Sequence, residues 1–572
     1  MQDFKKDLNK LWFHLYGEDN SLLFDNFVKE IQNFKLENNI PVQQEEWYKD
    51  VCIYSLYVDL FNHDFKGLID KLDYLSELGI SCLWLLPILD SPMRDAGFDI
   101  KNYQKIRSDL LGETLFNGKD TFEIFLDKAK EKNIKVIFDI AINHTSEEHQ
   151  WFQEAIKSKD NPYRDYYIWN KDSEKYKEAR IIFYGIEESN WKKQGDEYFF
   201  HRFFDFQPDL NYHNPMVLIE MTRNFLFWLK KGVDGFRADA IPYLWKEEGS
   251  ECENLPKTHT IVKIFRTVLD FVQPNTLLLA EACQKPKEVV KYFGKGDECH
   301  AGYHFPLMPQ IYKALGTSRN KPVINVLDSS ITPEIPETSQ WFTFLRCHDE
   351  LSLELTYVSE VDRKYIHEKF CKKPEWDFRL GQGISARLSE LMDKDPRKIA
   401  LAFSVMLTLP GTPIIYYGDE FGKLNDENYY KETIQMVGKD DTRFLVRGKI
   451  DWVQLEHELN DETSYASLVY KALKTQIITR SLHKTFGRGD LKWITAFDEN
   501  RIEIDTVLQY ERNYKNEKLL IIHNLSDKKK QIQFDVSKLK VTYDLLNQFI
   551  EKGPSDQSIF IDAFASYWLK II

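Results

Sequence analysis

Gly235-Phe236-Arg237-Ala238-Asp239 and Leu277-Leu278-Leu279-Ala280-Glu281 decide the fold. Each is a short apolar run that ends on an acid, and each follows an amphipathic helical stretch: Pro215 to Lys230 before the first, and one reaching Phe271 before the second. The same unit recurs on both sides. Val51 to Val58, Cys82 to Leu86, Val136 to Ile140, Phe342 to Leu345 and Pro413 to Tyr417 read as strands, and helical stretches such as Thr121 to Glu131 and Ile399 to Leu409 separate them. Strand–helix alternation implies parallel strands joined by helical crossovers. Eight units over roughly 430 residues favour a closed (β/α)8 barrel over an open sheet.

Working outward, residues 145–208 follow the third strand and residues 352–395 the seventh. Insertions of that length in a compact domain serve as lids or small subdomains, and loops after the strands build a barrel's active face. Residues 1–47 repeat Leu8, Leu11, Trp12, Leu15, Leu23, Phe27 and Ile31 at helical spacing, which predicts a helical segment packed on the main body. Past about residue 490 the helical pattern stops. Thr506 to Tyr510, Lys518 to His523, Gln531 to Phe534, Thr542 to Leu546 and Tyr567 to Ile572 predict a small antiparallel β-domain. The expected division is 1–47 helical, 48–488 barrel and 489–572 C-terminal β-domain.

Composition excludes several partners. With 76 basic against 90 acidic residues the formal net charge is −14, which disfavours nucleic acid and anionic membrane. No apolar stretch approaches the ~20 residues needed to span a bilayer, and the start lacks a signal peptide's apolar run. Seven cysteines without a CxxC argue against a disulfide framework or a zinc site, and for a reducing compartment, the cytoplasm.

Chemistry at a sugar's anomeric carbon needs two carboxyl groups, one to attack and one to protonate the leaving oxygen. A barrel carries such groups at the C-terminal ends of its strands. Four strand ends qualify: Asp139-Ile140-Ala141-Ile142-Asn143-His144, the Asp239 and Glu281 runs, and Phe344-Leu345-Arg346-Cys347-His348-Asp349. One such acid alone is commonly a helix N-cap; four in order are far more specific. The set resembles the four conserved regions of the α-amylase superfamily, glycoside hydrolase family 13, over nearly the whole chain. Gln207-Pro208-Asp209-Leu210-Asn211 and Gly418-Asp419-Glu420 fit the same family. The resemblance implies a retaining enzyme with Asp239 as nucleophile, Glu281 as general acid/base and Asp349 gripping ring hydroxyls. Arg237 would pair with Asp239, and His144 and His348 would bind the same sugar. Asp95, Phe98, Asp99, Phe206 and Arg447 complete the expected sugar-binding set, with an Asp95–Arg447 pair closing the pocket behind one glucose unit.

Narrower likenesses point two ways. Trp245 to Pro256, Tyr57 to Phe61, Gly296 to Gly302 and Leu424-Asn425-Asp426 resemble amylosucrases and sucrose hydrolases. His348-Asp349-Glu350-Leu351 and Tyr303 to Pro309 look more like trehalose synthase. The resemblance therefore implies glucosyl transfer or hydrolysis on sucrose or a short α-glucoside, with a glucan as an acceptor. The alternatives are a trehalose synthase-like maltose isomerase, an exo-α-glucosidase, or, in another class, a non-catalytic glucan-binding protein, which the presence of all three acids disfavours. The chemistry needs no redox or phosphate cofactor. Many amylases hold calcium near the equivalent of Asn143, but the amylosucrase-like branch generally does not, so no cofactor and no essential metal is expected.

Overall fold

The computed structural model describes the chain except residues 1, 113–117, 184, 439, 534–540, 547, 549, 553–557 and 572. Eight strands close a barrel: β1 (Ile53–Leu56), β2 (Cys82–Leu85), β3 (Lys135–Ala141), β4 (Gly235–Asp239), β5 (Leu277–Ala280), β6 (Ala301–Tyr303), β7 (Gln340–Phe344) and β8 (Thr412–Tyr416). Each pairs parallel with its neighbours in sequence, and β1 closes on β8 through Ile53 opposite Ile414. Apolar periodicity does not find β6. It is only three residues long, too short to show any alternation.

The strands are buried on both faces, which explains their unbroken apolar character. Register then positions the acids. Arg237 lies opposite Asp139 on one side and Leu279 on the other, while Asp239 pairs with Ala141. Asp139 on β3 thus lies level with Arg237, two residues below Asp239 at the C-terminal end of β4.

Helices α1 (Gln2–Tyr16) and α2 (Ser21–Asn38) form the N-terminal segment. Trp12 and Ile31 are fully buried, and Phe4 stacks on Phe271 with ring centroids 3.9 Å apart, docking α1 on the helix Pro256–Val272. At the other end, Asp490–Trp493, Val507–Tyr514, Glu517–Asn524, Ser566–Ile571 and Val541–Asp544 form a five-stranded antiparallel sheet, with a second three-stranded sheet beside it. Trp568 Nε1 donates to Ser404 Oγ at 2.8 Å, and Tyr510 and Thr408 hydroxyls meet at 2.6 Å, fixing the sheet to the helix Pro396–Thr408. Of the expected strand residues, Phe534 and Ile572 lie outside the described residues.

The insertion after β3 carries a three-stranded sheet of Trp169–Asn170, Glu197–Phe200 and Trp191–Gln194. The one after β7 carries helix α3 (Glu360–Phe370) and a small sheet in which Gly383–Ile384 lies between Leu351–Ser352 and Asp377–Phe378. The two insertions meet over the rim: Arg379 Nη1 donates to Ile182 O at 3.5 Å, and its guanidinium sits 4.6 Å from the Phe183 ring. No described helix is long and apolar enough to cross a membrane.

Candidate active site

Asp239 ends β4, and Arg237 Nη1 donates to its Oδ1 at 2.7 Å. The same nitrogen donates to Asp139 Oδ1 at 2.5 Å, and Arg237 Nε donates to Tyr303 Oη at 3.1 Å. Trp84 Nε1 donates to the other Asp139 oxygen at 2.9 Å. Burial pushes the Asp139 carboxyl up to about 7, against the pull of Arg237. Arg237 is thus a buried fork that orients Asp239 and is itself held from below. Beyond Asp239 the chain turns through Ala240, whose φ of 57° is left-handed and unfavourable for a residue with a Cβ. That turn aims the Ala240 amide at Glu281 Oε2, 3.1 Å away. The Glu281 carboxyl follows β5 and is pushed up, first by burial and then by the neighbouring Asp239 charge. A neighbouring thiol, Cys283 Sγ, donates to Glu281 Oε1 at 3.0 Å.

Asp349 stands beyond β7. Burial works against its ionisation, but His348, Arg443 and Arg447 hold it well below the ordinary carboxylate range. His348 Nε2 is 3.1 Å from Asp349 Oδ2, and Arg443 Nη1 donates to Oδ1 at 3.0 Å. Arg447 Nη2 lies 3.5 Å from the same oxygen. The Phe98 ring stacks on His348 at 5.6 Å. His144 Nε2, His348 Nδ1 and Tyr57 Oη are buried and have no hydrogen-bond partner among the described residues. Burial lowers the pKa of both histidines, so at neutral pH these rings offer neutral nitrogens.

Three expectations need correction. Asp95 and Arg447 do not pair. Asp95 Oδ2 accepts from Gln207 Nε2 at 2.9 Å, and Arg447 turns to Asp349 and to His348 O, which its Nε reaches at 3.1 Å. Both still line one cleft of about 590 Å³, together with Phe204, Arg379 and Arg443. Asp99 is fully buried and accepts from Ser91 Oγ and the amides of Arg94 and Asp95. It shapes the Asp95 loop from behind instead of facing the cleft. Phe206 is packed between Phe204, stacked at 5.1 Å, and the Arg94 guanidinium at 3.9 Å. The aromatic beside His144 is Phe203, with centroids 5.0 Å apart.

Sequence reasoning missed Arg443 and Cys283. Arg443 lies four residues before Arg447 and Cys283 two residues after Glu281, so position relative to those residues was the available signal. Around Asn143, Lys246 Nζ donates to Asn143 Oδ1 and pairs with Asp209 Oδ2, both at 2.8 Å. Lys246 is thus buried between Asn143 and Asp209.

Comparison with known proteins agrees with this fold. The alpha amylase catalytic domain matches residues 43–454, and the alpha-amylase SusG C-terminal domain matches 507–567. Trehalose synthase/amylase TreS of Mycobacterium tuberculosis is 39% identical over 523 residues, covering 86% of this chain and 84% of that protein. A trehalose synthase of Thermus thermophilus is 40% identical over 509 residues, 84% of this chain and 50% of that protein. Among solved structures, the α-amylase from H. orenii superposes with a TM-score of 0.69 at 23% identity, covering 92% of this chain and all of that one. A trehalulose synthase gives 0.69 at 21% identity with the same coverage. At such identities these structures speak to the fold alone.

Proposed function

The chain belongs to the alpha-amylase family, and from that premise we propose that it is a trehalose synthase-like enzyme that interconverts maltose and trehalose. It is a glycoside hydrolase or transferase of family 13, with the closed barrel and β-sheet domain of that family. The observation that carries the finer reading is identity near 40% to trehalose synthases over 84–86% of this chain. It favours that alternative over the sucrose-directed one.

In this reading Asp239, steered by Arg237, attacks the anomeric carbon of the non-reducing glucose. Glu281 delivers its proton to the glycosidic oxygen, for which a carboxyl pushed up by burial is suited. The products are a β-glucosyl ester on Asp239 and free glucose. Glu281, now a carboxylate, takes the proton from the anomeric hydroxyl of that glucose as it attacks the ester from the same face, and the α-configuration is retained. Asp349, with His348 and His144, binds ring hydroxyls of the glucosyl unit. The unsatisfied ring nitrogens of the two histidines are the atoms suited to meet them. Isomerisation requires the freed glucose to turn over without leaving, and the contact of Arg379 with Ile182 and Phe183 supports a roofed chamber. Water reaching the ester instead gives hydrolysis.

The test is product analysis with maltose, trehalose and sucrose supplied separately, each with and without a glucan acceptor. Maltose giving trehalose, and the reverse, is expected. Fructose released from sucrose, with maltose and trehalose untouched, overturns the proposal.

A further inference from the structure

On the lid insertion, away from the acids, His367, Cys371 and Asp377 place one nitrogen, one sulfur and one carboxylate oxygen within 4.8 Å of one another. We propose that this cluster is a binding site for a divalent transition metal of the zinc class, and that the metal pins the lid. His367 lies in the last turn of α3 and Cys371 caps that helix, its amide donating to His367 O at 2.8 Å. The four-residue spacing stacks both side chains on one face of the helix. The chain then turns through Pro374–Trp376, and Asp377 returns to the same face. His367 Nε2 and Asp377 Oδ1 are 2.6 Å apart, and the Gly381 amide donates to that Oδ1 at 2.9 Å, fixing the carboxylate from behind. All three residues are partly exposed, so an ion has a path in.

The donor set selects the metal. A thiolate beside an imidazole suits Zn²⁺ or Co²⁺ and disfavours Mg²⁺ and Ca²⁺, which take oxygen ligands. Zinc bond lengths of about 2.0–2.3 Å put tetrahedral donors roughly 3.3–3.8 Å apart, so the His367–Asp377 pair, now 2.6 Å apart, opens by about 0.7 Å, and the widest separation, within 4.8 Å, closes by at most about 1.5 Å. Water fills the fourth position. Binding breaks the S–H bond of Cys371 and releases its proton to solvent, with no change in oxidation state. A simple His–Asp hydrogen bond would use two of these groups and leave the thiol only its bond to Lys373 O at 3.5 Å.

The site is wired to the cleft. Asp377–Phe378 pairs with Gly383–Ile384, which pairs with Leu351–Ser352, two residues beyond Asp349. Arg379, two residues past Asp377, makes the contact with the opposite insertion. A metal held at Asp377 therefore restrains the segment that roofs the chamber.

Cobalt titration of the purified full chain reads the site without any sugar, so it stands or falls separately from the maltose–trehalose reading. The expected result is a near-ultraviolet thiolate-to-cobalt band at one Co²⁺ per chain. Zn²⁺ abolishes it, Cys371→Ser loses it, and His367→Ala weakens it. No such band in the wild type, or an undiminished band in Cys371→Ser, overturns the site. The lid role predicts that Zn²⁺ changes kcat of the wild type and leaves Cys371→Ser unaffected. Equal responses of the two proteins overturn that role. Circular dichroism equal to wild type is expected for both variants, and metal-free activity equal to wild type for Cys371→Ser, since Cys371 does not touch the cleft acids.

Discussion

Replacing Cys283 by alanine should move the basic limb of the pH profile upward. Both oxygens of Glu281 accept a hydrogen bond, Oε1 from Cys283 Sγ and Oε2 from the Ala240 amide. Donors to a carboxylate favour its charged form, so they oppose the upward push of burial and of Asp239. Burial holds the Cys283 thiol well above its usual range, so it remains a proton donor throughout any practical assay. A hydrogen bond to a charged acceptor contributes about 1.5–3 kcal/mol, and sulfur is a weaker donor than oxygen or nitrogen, which leaves about 1 kcal/mol for this one. At 1.36 kcal/mol per unit that is about 0.7 of a pKa unit. The proton donor would then stay protonated to higher pH, and the basic limb of kcat/KM, which reports the acid in the free enzyme, shifts up by that amount. Cys283→Ser keeps a donor and should leave the limb at the wild-type position or below it. Initial rates on maltose across the pH range measure both. A limb in Cys283→Ala that stays put or moves down refutes the reasoning. Loss of activity at all pH values, with no shift, means that the thiol only fills space.

Glu281→Gln should abolish turnover of maltose yet spare formation of the glucosyl ester from α-glucosyl fluoride, whose leaving group needs little protonation; equal loss on both refutes the acid role. Arg443→Ala takes from Asp349 the donor at 3.0 Å and should lower kcat/KM by about 10–100-fold, on 1.5–3 kcal/mol for a charged hydrogen bond. Arg443→Lys should not restore it, because Arg443 also grips Asp441 through two nitrogens, and full rescue by lysine counts against the assignment. Glu420 is fully buried, accepts from the Tyr54 and Tyr74 hydroxyls, and is raised from 4.5 to about 7. The folded state then holds a proton that the unfolded chain has lost, so this residue's contribution to stability falls as pH rises from about 4.5 to 7. Glu420→Gln stays neutral. Its denaturant stability relative to wild type should improve by about 2–3 kcal/mol between pH 5 and pH 8, and a pH-independent difference refutes the assignment.

The parts of the site that sequence makes legible are those fixed by backbone regularity. Asp239 and Glu281 follow unbroken apolar runs, and strand register alone puts Arg237 opposite Asp139. What stays hidden depends on side-chain competition in irregular loops. Asp95 and Arg447 reach the same cleft, but each has a nearer partner, Gln207 for one and Asp349 with His348 O for the other. In the run Phe203 to Phe206 no period says which ring faces inward, and packing on Phe204 and Arg94 takes Phe206.

If the chain is trehalose synthase-like, as proposed, the same distinction accounts for the amylosucrase-like segments. In Trp245 to Pro256, Lys246 neutralises Asp209 and holds Asn143, while Glu253 pairs with Arg202 and with Arg180. Those are scaffold tasks, needed whatever sugar is bound, so a likeness there reports how the rim is built. On the proposed function, the residues that set the outcome lie elsewhere. Glu350 follows Asp349, which together with burial pushes its carboxyl up to about 7, and its side chain fills the space where a Cβ at Gly383 would stand, 2.3 Å away. Tyr303 Oη accepts from Arg237 Nε. Both belong to the trehalose synthase-like stretches, Glu350 against the lid and Tyr303 against the Arg237 that pairs with Asp239. A two-way motif signal is therefore best divided by asking what each segment contacts: segments spent on internal ion pairs carry ancestry, and segments facing the acids carry specificity.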